Sequence, residues 1–197
     1  MNKSDMMSEF ISNNNGYLIS SKAKEAGFSK QYISDYVSAH NLQRVASGVY
    51  ITDDVWQDDM FITQSVNTAV VFSHESALAL HGLTEKEPSQ IVVSVPRGYN
   101  STHLKKSGIA VHTLVRENYE IGKCEVKTFW GNTVTAYDID RTICDIIRNK
   151  DKTDIQVFSY AVKEYMRSGK KNLIKLSEYA AFFGIEDKIR TYTEVML

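Results

Sequence analysis

A chain of 197 residues with 43% hydrophobic content is ordinary for a soluble globular protein of one large or two small domains. No stretch approaches the roughly 18 apolar residues of a membrane span, and MNKSDMMSEF has no apolar run before a small-residue cleavage site, so the expectation is a cytoplasmic protein with no membrane partner. Cys124 and Cys144 fit neither a metal-ligand spacing nor a disulfide framework, and the formal charge of −1 excludes the strongly basic class of nucleic-acid binders.

Residues 3 to 13 carry Met6, Met7, Phe10 and Ile11 at helical spacing, and Asn13 to Gly16 stop that helix. Tyr17 to Ile19 read as a short extended piece, after which Ser20 or Ser21 caps a second helix that Gly27 ends. Ser29 is the expected cap of a third helix, with Phe28 and Ile33 forming a hydrophobic staple. That helix carries Ile33, Val37 and His40 on one side and Lys30, Gln31, Ser34, Asp35 and Ser38 on others. Leu42 to Val45 and Val49 to Ile51 are β-favouring runs joined by Ala46, Ser47 and Gly48, a glycine-containing hairpin turn. Helix, short strand, helix, turn, helix, hairpin is the order of a winged helix-turn-helix over residues 1–55; a small three-helix interaction module is the alternative. Asp53, Asp54, Asp58 and Asp59 then form an acidic run that reads as a boundary.

Residues 56–197 have a different character, and the fold class expected for the whole chain is α+β, with a mixed α/β C-terminal domain of one small sheet and several helices. Helices are expected over 58–69, 74–82, 140–148, 154–167, 173–183 and 187–195, and strands over 69–72, 91–95, 109–114, 125–129 and 133–137. Gly131-Asn132 is the turn that pairs the last two strands.

Chemistry-bearing residues in this half are sparse. His74 and His81, seven apart on one helix near Glu75, are too distant to share a metal ion without a third element, and the H-E-x-x-H spacing is absent. Glu125-Val126-Lys127 matches half of a metal-dependent nuclease strand, but no aspartate lies between Asp59 and Asp138 to complete it. Arg141, Asp145 and Arg148 form an i, i+4 and i+3 ladder expected on the exposed face of an amphipathic helix. Lys163, Arg167, Lys170, Lys171 and Lys175 make a basic stretch. No catalytic residue, metal or cofactor is assigned.

LQRVASGVY (42–50), FSHESALALHGL (72–83), IVVSVPRG (91–98) and TAYDIDRTICDIIR (135–148) occur in an order and spacing that resembles the AbiEi family of antitoxins from bacterial abortive-infection toxin-antitoxin systems. The resemblance covers nearly the whole chain. It implies an N-terminal winged helix-turn-helix that binds inverted repeats of double-stranded DNA in its own promoter as a transcriptional repressor. It implies too a C-terminal antitoxin domain opposing a nucleotidyltransferase-like toxin without a stable complex.

In that reading Ser29, Lys30, Gln31, Tyr32 and Ser34 meet base edges or phosphates in the major groove, with Gln31 suited to a bidentate adenine contact. Arg44, Ser47 and Gly48 form the wing's backbone or minor-groove contact, although Arg44 has a rival role as partner of Asp35. So few cations give modest affinity per copy, so a protein that is monomeric in solution would bind DNA cooperatively. The alternative function is an enzyme, a nuclease or a toxin- or nucleic-acid-modifying one, targeted to DNA by the N-terminal module.

Overall fold

A computed structural model of the chain describes residues 2–194. These residues form an α+β architecture with eleven α-helices and two small sheets, grouped into two units: Met1–Thr68 with Lys127–Val134, and Ala69–Val126 with Thr135–Leu197. The first unit therefore extends past residue 55 and takes in a short segment from far along the chain.

The first unit begins with α1 (Lys3–Asn13), capped reciprocally by Asn2 and Asp5, whose side chains each accept the other's backbone N–H. Met7 and Ile11 are its buried stripe. β1 (Tyr17–Ile19) runs directly into α2 (Ser20–Glu25). Neither Ser20 nor Ser21 caps α2, contrary to expectation, because Ile19 is the cap position and the Ser20 N–H donates to the Gly48 carbonyl at 2.8 Å. Ser29 does cap α3 (Lys30–Ala39), accepting from the Tyr32 N–H. Phe28 and Ile33 both enter the core with Met7, Ile11, Leu18 and Tyr36. His40 does not join that buried side: it is exposed at the C-terminal end of α3, stacked on Tyr36 at 3.8 Å, and Tyr36 takes the core position.

β2 (Gln43–Ala46) and β3 (Val49–Ile51) form the hairpin, with an irregularity between Arg44 and Ala46. Gly48 has φ +72°, the left-handed conformation that a side chain would resist. β3 is central in the antiparallel order β1-β3-β2. The acidic run that follows is no mere linker, because Asp58 is 3% exposed and caps α4 (Asp59–Val66) by accepting from the Phe61 N–H.

β4 (Val71–Phe72), β5 (Val92–Pro96), β6 (Ala110–Leu114), β7 (Lys123–Lys127) and β8 (Thr133–Tyr137), most of whose residues belong to the second unit, form a mixed sheet in the order β6-β5-β4-β8-β7. β4 pairs antiparallel with β5 and parallel with β8, and β5 pairs parallel with β6. α5 (His74–His81), α8 (Ile139–Arg148), α9 (Ile155–Arg167), α10 (Leu173–Phe183) and α11 (Glu186–Glu194) supply the helical layer. Two short helices, α6 (Thr102–Lys106) and α7 (Arg116–Glu120), were not anticipated from periodicity. Val195, the end of the last expected helix, lies outside the described residues.

α8 corrects a sequence expectation. It is not an amphipathic helix with a charged outer face: every residue from Ile139 to Ile147 is buried, because α5, α9, α10 and α11 all pack against it. Among the described residues no helix is long and apolar enough to cross a membrane.

Candidate nucleic-acid interface

The residues singled out in the first unit fall on two exposed features, the N-terminal turn of α3 and the β2–β3 hairpin. Lys30, Gln31 and Ser34 are exposed, as are Arg44 and Ser47. Ser29 is exposed and its oxygen accepts from the Tyr32 N–H, which leaves its hydroxyl proton and one lone pair for an outward contact. Tyr32 is half-buried between Phe28 and Tyr36, ring centroids 6.0 and 6.2 Å away, with Lys3 Nζ 4.6 Å above it. Its ring supports the helix from below.

Gln31 donates through Nε2 to Asp35 Oδ1 at 2.8 Å, one turn along the exposed face. This bond engages one of the two Nε2 protons and leaves the other, with Oε1, for a base edge, while the Asp35 carboxylate beside it opposes an approaching phosphate. Arg44 is not the partner of Asp35; its Nε donates to the Ala46 carbonyl at 3.3 Å across the bulge. Its charge is thus held on the hairpin rather than neutralised by α3.

A backbone hydrogen bond, Ser20 N–H to the Gly48 carbonyl, connects the hairpin turn to the start of α2. A Cβ on Gly48 would lie 3.5 Å from the Ser20 side chain, so the turn sits directly against the start of α2. α2 in turn leads through Gly27 into the capped start of α3.

In the second unit, His74 and His81 are each engaged separately. His81 Nε2 lies 2.7 Å from the Tyr137 carbonyl. His74 is buried at the first position of α5 with φ +49°, a conformation that costs a non-glycine residue of order 1–3 kcal/mol. Its ring stacks on His112 at 3.9 Å. Asn149 Nδ2 donates to the Asp145 carbonyl and lies 3.1 Å from His74 Nε2, which therefore accepts. His74 Nδ1 is then the protonated nitrogen and donates to Ser73 Oγ at 3.1 Å. Ser73 also receives a hydrogen bond from Ser94 Oγ and, although it stands at the N-cap position of α5, makes no side-chain cap hydrogen bond.

Burial, with His112 and Arg141 adding to it, lowers the His74 pKa to about 3. With both nitrogens occupied, this neutral imidazole has neither a lone pair nor a proton free for acid–base work. It forms part of the wall of a cavity of about 520 Å³ that His112, Glu75, Lys86, Asn149 and Asp154 also line. Neither His112 nor Asn149 carried a sequence signal; each is brought in by tertiary structure.

Asp138 caps α8 through the Arg141 N–H and accepts from Tyr179 Oη at 2.8 Å and Lys175 Nζ at 2.7 Å. Lys175 thereby leaves the basic stretch, and Arg167 pairs with Glu164 at 3.3 Å. Glu125 and Lys127 are both exposed on β7, where Lys127 Nζ donates to Thr133. Among the described residues no group of three or more His, Cys, Asp or Glu converges in metal-ligand geometry.

Compared with protein-family models and with curated proteins, the chain finds no match.

Proposed function

We propose that the first unit contains a winged helix-turn-helix that binds double-stranded DNA, and that the protein is an antitoxin and repressor of its own operon. The observation that carries the DNA-binding reading is the Ser20–Gly48 hydrogen bond. It fixes the exposed hairpin bearing Arg44 and Ser47 to the helix that leads into the exposed start of α3, so that helix and wing behave as one rigid reader. The order of elements and the antiparallel β1-β3-β2 sheet fit the same assignment.

Lys30 and Arg44 are the phosphate-contacting cations in this reading, and Gln31 is the base reader through the amide groups that Asp35 does not engage. The antitoxin half rests on the four motif stretches that resemble the AbiEi family, with the second unit opposing a nucleotidyltransferase-like toxin without forming a stable complex with it. The toxin would be encoded beside it. Two copies on inverted repeats, each binding modestly, produce cooperative repression.

The test is a pair of measurements on the full-length protein and its Lys30→Ala/Arg44→Ala variant. Gel shifts on the promoter of its own operon should show binding that the variant loses at physiological salt. Co-expression with the adjacent toxin gene should show rescue by both proteins. Unchanged promoter binding by the variant refutes the reader; absence of rescue by either protein refutes the antitoxin assignment.

A further inference from the structure

The first unit carries a second exposed feature that DNA binding does not use. Trp56 is 73% exposed, Phe129 93% and Trp130 46%. The two indoles stack with centroids 6.1 Å apart and planes 17° from parallel, and Phe129 meets Trp130 edge-on at 5.2 Å. Three clustered aromatic rings in water form the kind of apolar patch that marks an interaction site.

The rings are held in place from beneath. The 128–132 turn is closed by Thr128 N–H to the Asn132 carbonyl at 2.9 Å and Gly131 N–H to the Thr128 carbonyl at 3.0 Å. Buried Asp58 accepts from Thr128 Oγ1 at 2.5 Å and Asn132 Nδ2 at 2.8 Å. Tyr17 accepts from the Asp58 backbone N–H and donates to the Trp56 carbonyl at 3.1 Å, so the Asp58 side chain holds the 128–132 turn while its backbone, through Tyr17, holds the Trp56 segment. Besides capping α4, the buried Asp58 carboxylate fixes the turn that carries exposed rings. Fixing them in advance preorganises an aromatic hot spot, since the entropy of ordering those side chains is lost before binding.

Charge selects the occupant. All four charged residues between 51 and 59 are aspartates, and Lys127 is the single cation in 127–134. Asp53, Asp54 and Asp59 are exposed. An acidic neighbourhood repels nucleic-acid phosphates, anionic lipid headgroups and a second copy of itself. It attracts a cationic surface, and the faces of indole and phenyl rings bind guanidinium groups by cation–π contact. We propose that Trp56, Phe129 and Trp130 form a docking site for an arginine-rich segment of another protein.

Trp56 and Trp130 are the chain's only tryptophans, so emission excited selectively in tryptophan, with the 11 tyrosines left unexcited, reports on this patch in the full-length protein. The titrant is a short peptide alternating arginine and glycine, with an equally long glutamate–glycine peptide as control. The arginine peptide should give a saturable change in emission and the control none. Phe129→Ala, at a site too exposed to affect folding, should weaken binding by about 10-fold, the effect of removing a hot-spot aromatic. Neutralising Asp53, Asp54 and Asp59 to asparagine should weaken it too, whereas neutralising exposed Glu186 and Asp187 on α11 should leave it unchanged. Equal affinity for wild type and Phe129→Ala overturns the proposal, as does equal weakening by the α11 variant. So does the same emission change produced by duplex DNA, by anionic vesicles, or by raising the protein concentration alone.

Discussion

Arg141 Nε and Asp145 Oδ2 lie 2.9 Å apart within α8, their side chains 0% and 4% exposed, which makes them an ion pair sealed inside the second unit. The guanidinium is sandwiched between Tyr137 and Phe183, 4.4 and 4.2 Å from their ring centroids, and donates to the carbonyls of Asn118 and Ile121. Burial pushes the Asp145 carboxyl up, against the pull of Arg141 and Arg148. Asp145→Asn leaves the Arg141 guanidinium buried without its carboxylate, and Arg141→Ala leaves the buried Asp145 carboxylate with only the longer 3.4 Å contact to Arg148, so each should destabilise by about 3–5 kcal/mol. The double change to apolar residues of similar volume should cost much less. Denaturant unfolding of the three variants checks the order; a single variant as stable as wild type would mean the pair is dispensable.

His74 makes stability depend on pH. Its pKa of about 3 in the folded chain lies below the ordinary 6.5, so the unfolded state binds the proton more tightly. Stability is full above pH 6.5 and falls as the pH drops from there towards 3. At pH 5 the loss from this one group is about 2 kcal/mol relative to pH 7, with His112, also lowered by burial, adding in the same direction. His74→Asn removes the titration while keeping a residue that tolerates φ > 0. Its unfolding free energy should vary less between pH 7 and 5 than that of wild type; an identical pH profile for the two proteins would discard the role.

Asp58 is a third position with a measurable consequence. Asp58→Ala removes the acceptor for Phe61 N–H, Thr128 Oγ1 and Asn132 Nδ2 at once. Losing a helix cap together with buried charge-assisted hydrogen bonds should destabilise by about 3 kcal/mol. The 128–132 turn should loosen first, so acrylamide should quench the tryptophan emission more readily at temperatures where far-UV circular dichroism is still native. Unaltered quenching in a destabilised variant would show that the turn is held by its backbone alone.

What could be read from the sequence divides along the range of the interactions. The Ser29 cap, the Gly48 turn and the stop at Asn13 to Gly16 are local, determined by residues within one turn of each other, and each appears where spacing put it. Most helices and strands of the second unit follow from periodicity for the same reason. Asp58 reads locally as part of an acidic linker because its hydrogen-bond partner Asn132 is 74 positions away. Arg141 and Asp145 have the spacing of a surface ladder, and only the packing of four helices around α8 makes the pair internal. The Trp56–Trp130 stack and the His74–His112 stack are likewise products of topology. α6 and α7, five residues each, are too short for a periodic signal.

The proposed reader yields opposite signs at two exposed positions. Arg44 is exposed and tied only to its own hairpin, so Arg44→Ala should leave stability unchanged within about 0.5 kcal/mol. It should weaken promoter binding across sequences and reduce the slope of log K against log salt by about 1. Asp35 holds the Gln31 amide and sets a negative charge on the same exposed face, so Asp35→Asn removes a repulsion from phosphate and should strengthen binding. Salt-titrated anisotropy on the full-length protein separates the two effects. If Arg44→Ala kept the wild-type slope, or Asp35→Asn weakened binding, α3 and the hairpin would not be the surface that meets DNA.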